Sequence, residues 1–70
     1  MKYAVIYEAS ESGGYGAYVP DLPGCVAVGD SLDEVRTLIR EAIEMHLSGM
    51  REDGATIPPP TTQTEYVDAA

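Results

Sequence analysis

The stretch Tyr18-Val19-Pro20-Asp21-Leu22-Pro23-Gly24-Cys25-Val26-Ala27-Val28-Gly29-Asp30-Ser31 decides how this chain folds. Pro20 offers no amide to a strand ladder, and Pro23-Gly24 suits a turn, so the chain must bend between two β-prone runs. Cys25 to Val28 then reads as a short strand that stops at Gly29. Asp30-Ser31 opens a helix, because Ser31 and Glu34 fit the S-x-x-E capping box, in which two side chains satisfy orphan amides of the first turn.

Upstream of the corner, residues 2–10 and 15–19 read as two strands. Tyr3, Val5 and Val19 supply β-branched and aromatic content. Between them Glu11-Ser12-Gly13-Gly14 supplies hairpin chemistry. Downstream, apolar residues recur at Leu32, Val35, Leu38, Ile39, Ala42, Ile43, Leu47 and Met50. That spacing predicts one helix over about 32–53 with a single buried stripe, capped by Gly54 and stopped by Pro58-Pro59-Pro60. Thr64 to Val67 has strand chemistry and is expected as a short fourth strand at the sheet edge. The predicted class is therefore α+β, in the order β-β-β-α-β, as a single domain over residues 1–70.

Seventy residues leave no room for a second core, and at this size burial and conformational entropy nearly cancel. With one Cys and one His, neither a disulfide nor a zinc cluster can act as a staple. Self-association, as a homodimer or higher oligomer, is the remaining route. No apolar run approaches membrane-spanning length and no signal region precedes the first strand, so an intracellular, cytoplasmic protein is expected.

Twelve acidic side chains against four basic ones give a net charge of -8. Lys2, Arg36, Arg40 and Arg51 are too few to neutralise a nucleic-acid backbone, so direct DNA or RNA binding is not expected. An acidic surface suits a basic protein partner, and it also simply keeps a small protein soluble. Alternate residues of the strands are apolar on both sides: Tyr3, Val5 and Tyr7 against Ala4 and Ile6, and Val26 and Val28 against Cys25 and Ala27. One helix can cover only one of those faces. The other becomes a candidate protein–protein surface.

Isolated chemistry-bearing residues read as structural. His46 adjoins the apolar stripe without a Ser, Cys or Asp at triad spacing. Cys25 reads as a small buried hydrophobe with no basic neighbour to lower its pKa. Asp21 is suited to hydrogen-bonding backbone at its turn. Gly13, Gly14 and Gly16 lie in a hairpin, not between a strand and a helix N-terminus where phosphate is cradled.

The corner, third strand and capped helix together resemble the signature of HicB-type antitoxins, over almost the whole chain from Met1-Lys2-Tyr3 to the Pro58–Pro60 run. The resemblance implies a truncated ribonuclease H-like fold, and a function of silencing a HicA-type toxin. Such a toxin is a small basic ribonuclease with a double-stranded-RNA-binding fold and a catalytic His. A ribonuclease H site needs clustered carboxylates around two metal ions, one centred on the first strand. Here that strand carries only Glu8 near its end, so neither enzymatic activity nor a cofactor is expected. The toxin contact is expected to involve Asp21, Asp30, Glu34, Glu41 and Glu44. Many relatives add a C-terminal DNA-binding domain, which is expected to be lacking here. The alternative is a stand-alone oligomeric interaction module of the same fold without a toxin.

Overall fold

A computed structural model describes all residues 1–70. Strands β1 (Ile6–Ala9), β2 (Tyr15–Tyr18) and β3 (Val26–Gly29) are followed by helix α1 (Leu32–Glu52). The strands form an antiparallel sheet in the order β1-β2-β3, with β2 central. The helix packs on one face of the sheet, against β2 and β3.

Hairpin and corner are built by local hydrogen bonds. Gly13 N–H donates to the Ser10 carbonyl at 3.1 Å, and Ser10 N–H to the Gly14 carbonyl at 2.8 Å. The residue that needs a positive φ is Gly13, at 99°; Gly14 does not share it. At the corner two turns follow one another. Leu22 N–H donates to Val19 carbonyl and Cys25 N–H to Leu22 carbonyl, both at 3.0 Å. Pro20 and Pro23 preset φ at the second position of each turn, and Gly24 at φ 86° completes the second as type II. The double turn drives Leu22 inward until none of it is exposed.

Leu22, Val35 and Ile39 are the fully buried centre, joined by Ala17, Val19 and Cys25. Tyr3, Val5, Tyr15, Ala27, Ala42, Ile43 and Leu47 pack around them. Each large side chain buried here contributes roughly 1.5–3 kcal/mol. Only these six residues of seventy are buried, so the core is small for an independent fold.

Both ends of the helix carry the expected chemistry, with one variation. Ser31 Oγ accepts the Glu34 N–H at 3.1 Å. Glu34 reaches back not to Ser31 but one residue further, where its Oε1 accepts the Asp30 N–H at 2.7 Å. Gly29 allows this, since a Cβ there would collide with that carboxylate. At the other end Asp53 is the cap and Gly54 follows at φ 70°. Gly54 N–H donates to Arg51 carbonyl and Ala55 N–H to Met50 carbonyl, the paired bonds of a Schellman motif.

Two expectations are corrected. The first strand is shorter than residues 2–10, because the register Ile6↔Tyr18 continues to Val5 opposite Val19 and Ala4 opposite Pro20. Hydrogen-bonded pairs of β1 with β2 fall at Glu8–Gly16 and Ile6–Tyr18, so the next would fall at Ala4–Pro20, and Pro20 has no N–H to give. The fourth strand at 64–67 does not form: residues 55–70 contain no strand or helix. Gln63–Tyr66 and Val5–Tyr7 line a common groove and share no ladder.

What holds this segment is Asp21. Its Oδ2 accepts the backbone N–H groups of Thr61 at 3.1 Å and Thr62 at 3.0 Å, while Oδ1 accepts their hydroxyls at 3.2 and 2.8 Å. Tyr3 adds a second tie, donating its hydroxyl to the Pro58 carbonyl at 2.6 Å. The Thr62 backbone amide first, then its hydroxyl, hold the Asp21 carboxyl below the ordinary aspartate range.

Leu22→Ala empties a fully buried site and should cost ~2–5 kcal/mol in urea unfolding; an unchanged midpoint would remove the corner from its central place. The Asp21 tie has a pH signature. Because the folded-state pKa is depressed, its stabilising contribution is complete above the unfolded value of ~3.9 and disappears as pH falls through the folded pKa. The Thr62 amide resonance should therefore titrate with a midpoint below ~3.9, and Asp21→Asn should speed hydrogen exchange there. A midpoint at or above that value contradicts the tie.

Candidate functional site

The register sorts the sheet into two faces. Tyr7, Ala17 and Ala27 lie opposite one another, as do Ala9, Tyr15 and Gly29, and these rows face α1. The other face carries Ile6, Tyr18 and Val26 in one row and Glu8, Gly16 and Val28 in the next. On this second face Val26 is 61% exposed, Val28 76% and Tyr18 41%, while Ile6 on β1 is half-buried. An apolar sheet face bearing a Tyr and rimmed by charge has the composition of a protein-interaction surface. This is the candidate site, and the failure of polar alternation in β1 and β3 was its signal in the sequence.

The five carboxylates expected at a partner contact do not gather into one patch. Asp21 and Asp30 stand beyond opposite ends of β3, and Asp21 is committed to Thr61 and Thr62. Asp30 and Glu34 meet at the helix N-terminus, where Glu34 is engaged with the Asp30 amide and Asp30's own carboxylate is free of hydrogen bonds. Their charge lies at the positive end of the helix dipole. Glu41 and Glu44 lie about 10 and 15 Å further along the axis, by the ordinary helical rise. Both are exposed, and neither makes a hydrogen bond or ion pair within the chain. Of the five, Asp30, Glu41 and Glu44 therefore have uncommitted carboxylates. The single ion pair, Arg36 to Asp33 at 3.2 Å, is exposed and contributes little.

The tie between Asp21 and the threonines forty residues later was not visible in the sequence. The turn sequence suits Asp21 to bonding its own backbone, yet it bonds a distant segment instead. No spacing rule links those positions. Cys25 is buried, and burial pushes its thiol pKa up, which suits a packing role and not a nucleophile. His46 is half-buried beside the apolar stripe. No three His, Cys, Asp or Glu side chains converge as metal ligands. No helix is long and apolar enough to cross a membrane.

Comparison with known proteins agrees with this architecture. The chain is 37% identical over 68 residues to an uncharacterized 14.9 kDa protein of Haemophilus phage HP1, covering 97% of this chain and 50% of that protein. It is 33% identical over 69 residues to Antitoxin HicB 1 of Photorhabdus laumondii, covering 97% of this chain and 44% of that antitoxin. The chain thus spans about half the length of these relatives. Among solved structures, it matches the N-terminal domain of the Burkholderia pseudomallei antitoxin HicB with a TM-score of 0.73 and 26% identity, over 100% of this chain and 74% of that one. A chain of a HicA3 and HicB3 toxin–antitoxin complex matches with a TM-score of 0.70 and 26% identity, over 86% of this chain and 70% of that one. The family model described as HicB_like antitoxin of bacterial toxin-antitoxin system matches residues 3–70, and the chain belongs to that family.

Proposed function

We propose that this chain acts in the cytoplasm as the antitoxin of a toxin–antitoxin pair, binding a HicA-type toxin and occluding its RNA-cleaving site. Family membership over residues 3–70 is the observation that carries the reading. The likeness to a chain of a HicA3 and HicB3 complex supports a toxin of the HicA type as partner. The physics is compatible. A net charge of -8 steers a basic protein toward this one, and an uncovered apolar face provides the area to be buried.

In this reading inhibition is steric and electrostatic: the antitoxin fills space that RNA phosphates would otherwise occupy. Asp30, Glu41 and Glu44, whose carboxylates are uncommitted, can meet Arg and Lys around that site. Glu34 adds charge at the helix N-terminus. Asp21 contributes by shaping the corner, since its oxygens are spent on Thr61 and Thr62. The chain itself is proposed to be non-enzymatic, a ribonuclease H-like scaffold whose carboxylates do not converge. The small core and open face also support self-association.

A pull-down and an RNA-cleavage assay with the product of the adjacent reading frame test this reading. The expected partner is a small basic protein whose cleavage of RNA stops at stoichiometric antitoxin. Absence of binding and inhibition would defeat the proposal. Glu41→Ala and Glu44→Ala should mainly slow association and flatten its salt dependence if they sit at the rim. If either pair is buried in the complex, truncation should cost ~2–5 kcal/mol. Metal-dependent cleavage of RNA by the pure protein, lost in Glu8→Ala, would overturn the non-enzymatic assignment.

A further inference from the structure

Strand β3 leaves one edge of the sheet open, since it pairs only with β2. Natural sheets blunt such edges with Lys, Pro, bulges or inward-pointing charge. Val26-Ala27-Val28-Gly29 has none of these, in a chain whose net charge is -8. The absence of charge is local to the place where a neighbour could pair.

The phase of the ladder determines which groups are free. Val19 N–H donates to the Cys25 carbonyl at 3.2 Å while the Cys25 N–H turns to Leu22, so this position marks the hydrogen-bonded phase of the ladder with a single bond. Antiparallel pairs alternate, so Ala17 with Ala27 and Tyr15 with Gly29 are hydrogen-bonded as well. Val26 and Val28 occupy the intervening positions, and their N–H and C=O groups point away from β2 toward the open edge.

We propose that a second copy of this chain pairs antiparallel along β3, about a two-fold axis through Ala27, to form one six-stranded sheet. The proposal rests on the self-association reading above and specifies its surface. Under that axis Val26 lies opposite Val28 of the second copy, and both are residues with outward-pointing backbone groups. The two equivalent pairs exchange four N–H···O bonds. Asp30 falls opposite Gly24 of the second copy, so no carboxylate of one strand meets a carboxylate of the other.

Side chains on both faces of the edge fit a like partner. On the open face the row Ile6, Tyr18, Val26 continues into Val28 of the second copy. On the helical face Ala27, at the axis, is small enough to let the copies approach. The flank of α1 that carries Glu34 lies over Gly29 at this edge. Leu38, Glu41 and Met45 follow on that flank at i+4, i+7 and i+11 from Glu34, all exposed, with Leu38 at 37% and Met45 at 74%. Two helices placed side by side over the joined strands would cover Leu38 and Met45.

A Cys at position 27 reads out the axis, because two-fold related residues in a non-hydrogen-bonded pair bring their Cα atoms to about 4.5 Å, within disulfide reach. In a Cys25→Ala background, Ala27→Cys should oxidise to a covalent dimer, whereas Tyr18→Cys, on the central strand, should not. Val28→Pro deletes an amide that has no partner inside the chain, so it should keep its helical circular dichroism and sediment as a monomer. If that variant fails to fold, the cross-link arm decides alone. A wild-type monomer at high micromolar concentration would overturn self-association itself. A dimer that cross-links through position 18 but not 27, or survives Val28→Pro, would overturn the edge while leaving self-association intact. All arms use the pure protein, so they are independent of any toxin.

Discussion

Burial of Leu22 by two consecutive turns is the constraint on which the rest of the molecule depends. Each turn is made by a proline at its second position and closed by a 3.0 Å amide–carbonyl bond. Together they reverse the chain, seat Leu22 beside Val35 and Ile39, and launch β3 in register with β2. The same bend presents the Asp21 carboxylate outward, where it collects both threonine amides and both hydroxyls. One five-residue corner therefore anchors the core, the sheet and the C-terminal segment.

The remaining architecture follows from a shortage of cover. A sheet of three short strands has two faces and two edges, while a single helix has one buried stripe. The helix spends that stripe on β2 and β3, and the C-terminal segment is tied near Tyr3 and Asp21. The second face and the β3 edge are left over, and they carry apolar side chains. A protein whose core numbers six residues cannot leave such surface idle without consequence for its solubility. Such surface suits the partner binding proposed above for a member of an antitoxin family.

Charge plays a different part from apolar surface. Most carboxylates are exposed and unpaired, and the one ion pair lies in solvent. They contribute little to holding the fold, but they set a field that repels nucleic acid and attracts basic proteins. Two carboxylates are exceptions: Glu34 adds charge at the helix N-terminus while fastening the strand–helix junction across Gly29, and Asp21 holds the C-terminal segment.

The elements that sequence by itself determined are those whose signals are local. Ser31 with Glu34, the 3–4 apolar spacing and Gly54 predict residues 32–53, and the helix ends one residue earlier, at Glu52, with Asp53 as its cap. Pro20, Pro23 and Gly24 place the corner, and the lack of polar alternation reveals the uncovered face. Tertiary structure decided the rest, because it depends on which distant groups compete for the same partners. Residues 64–67 have strand propensity but form no ladder, while the distant Asp21 fixes Thr61 and Thr62 just before them. Residues 2–5 have it too, but their register brings the next ladder bond to Pro20, which has no amide. Propensity belongs to a residue, whereas a strand needs a free partner at the right distance, and only the folded chain determines which partners remain free.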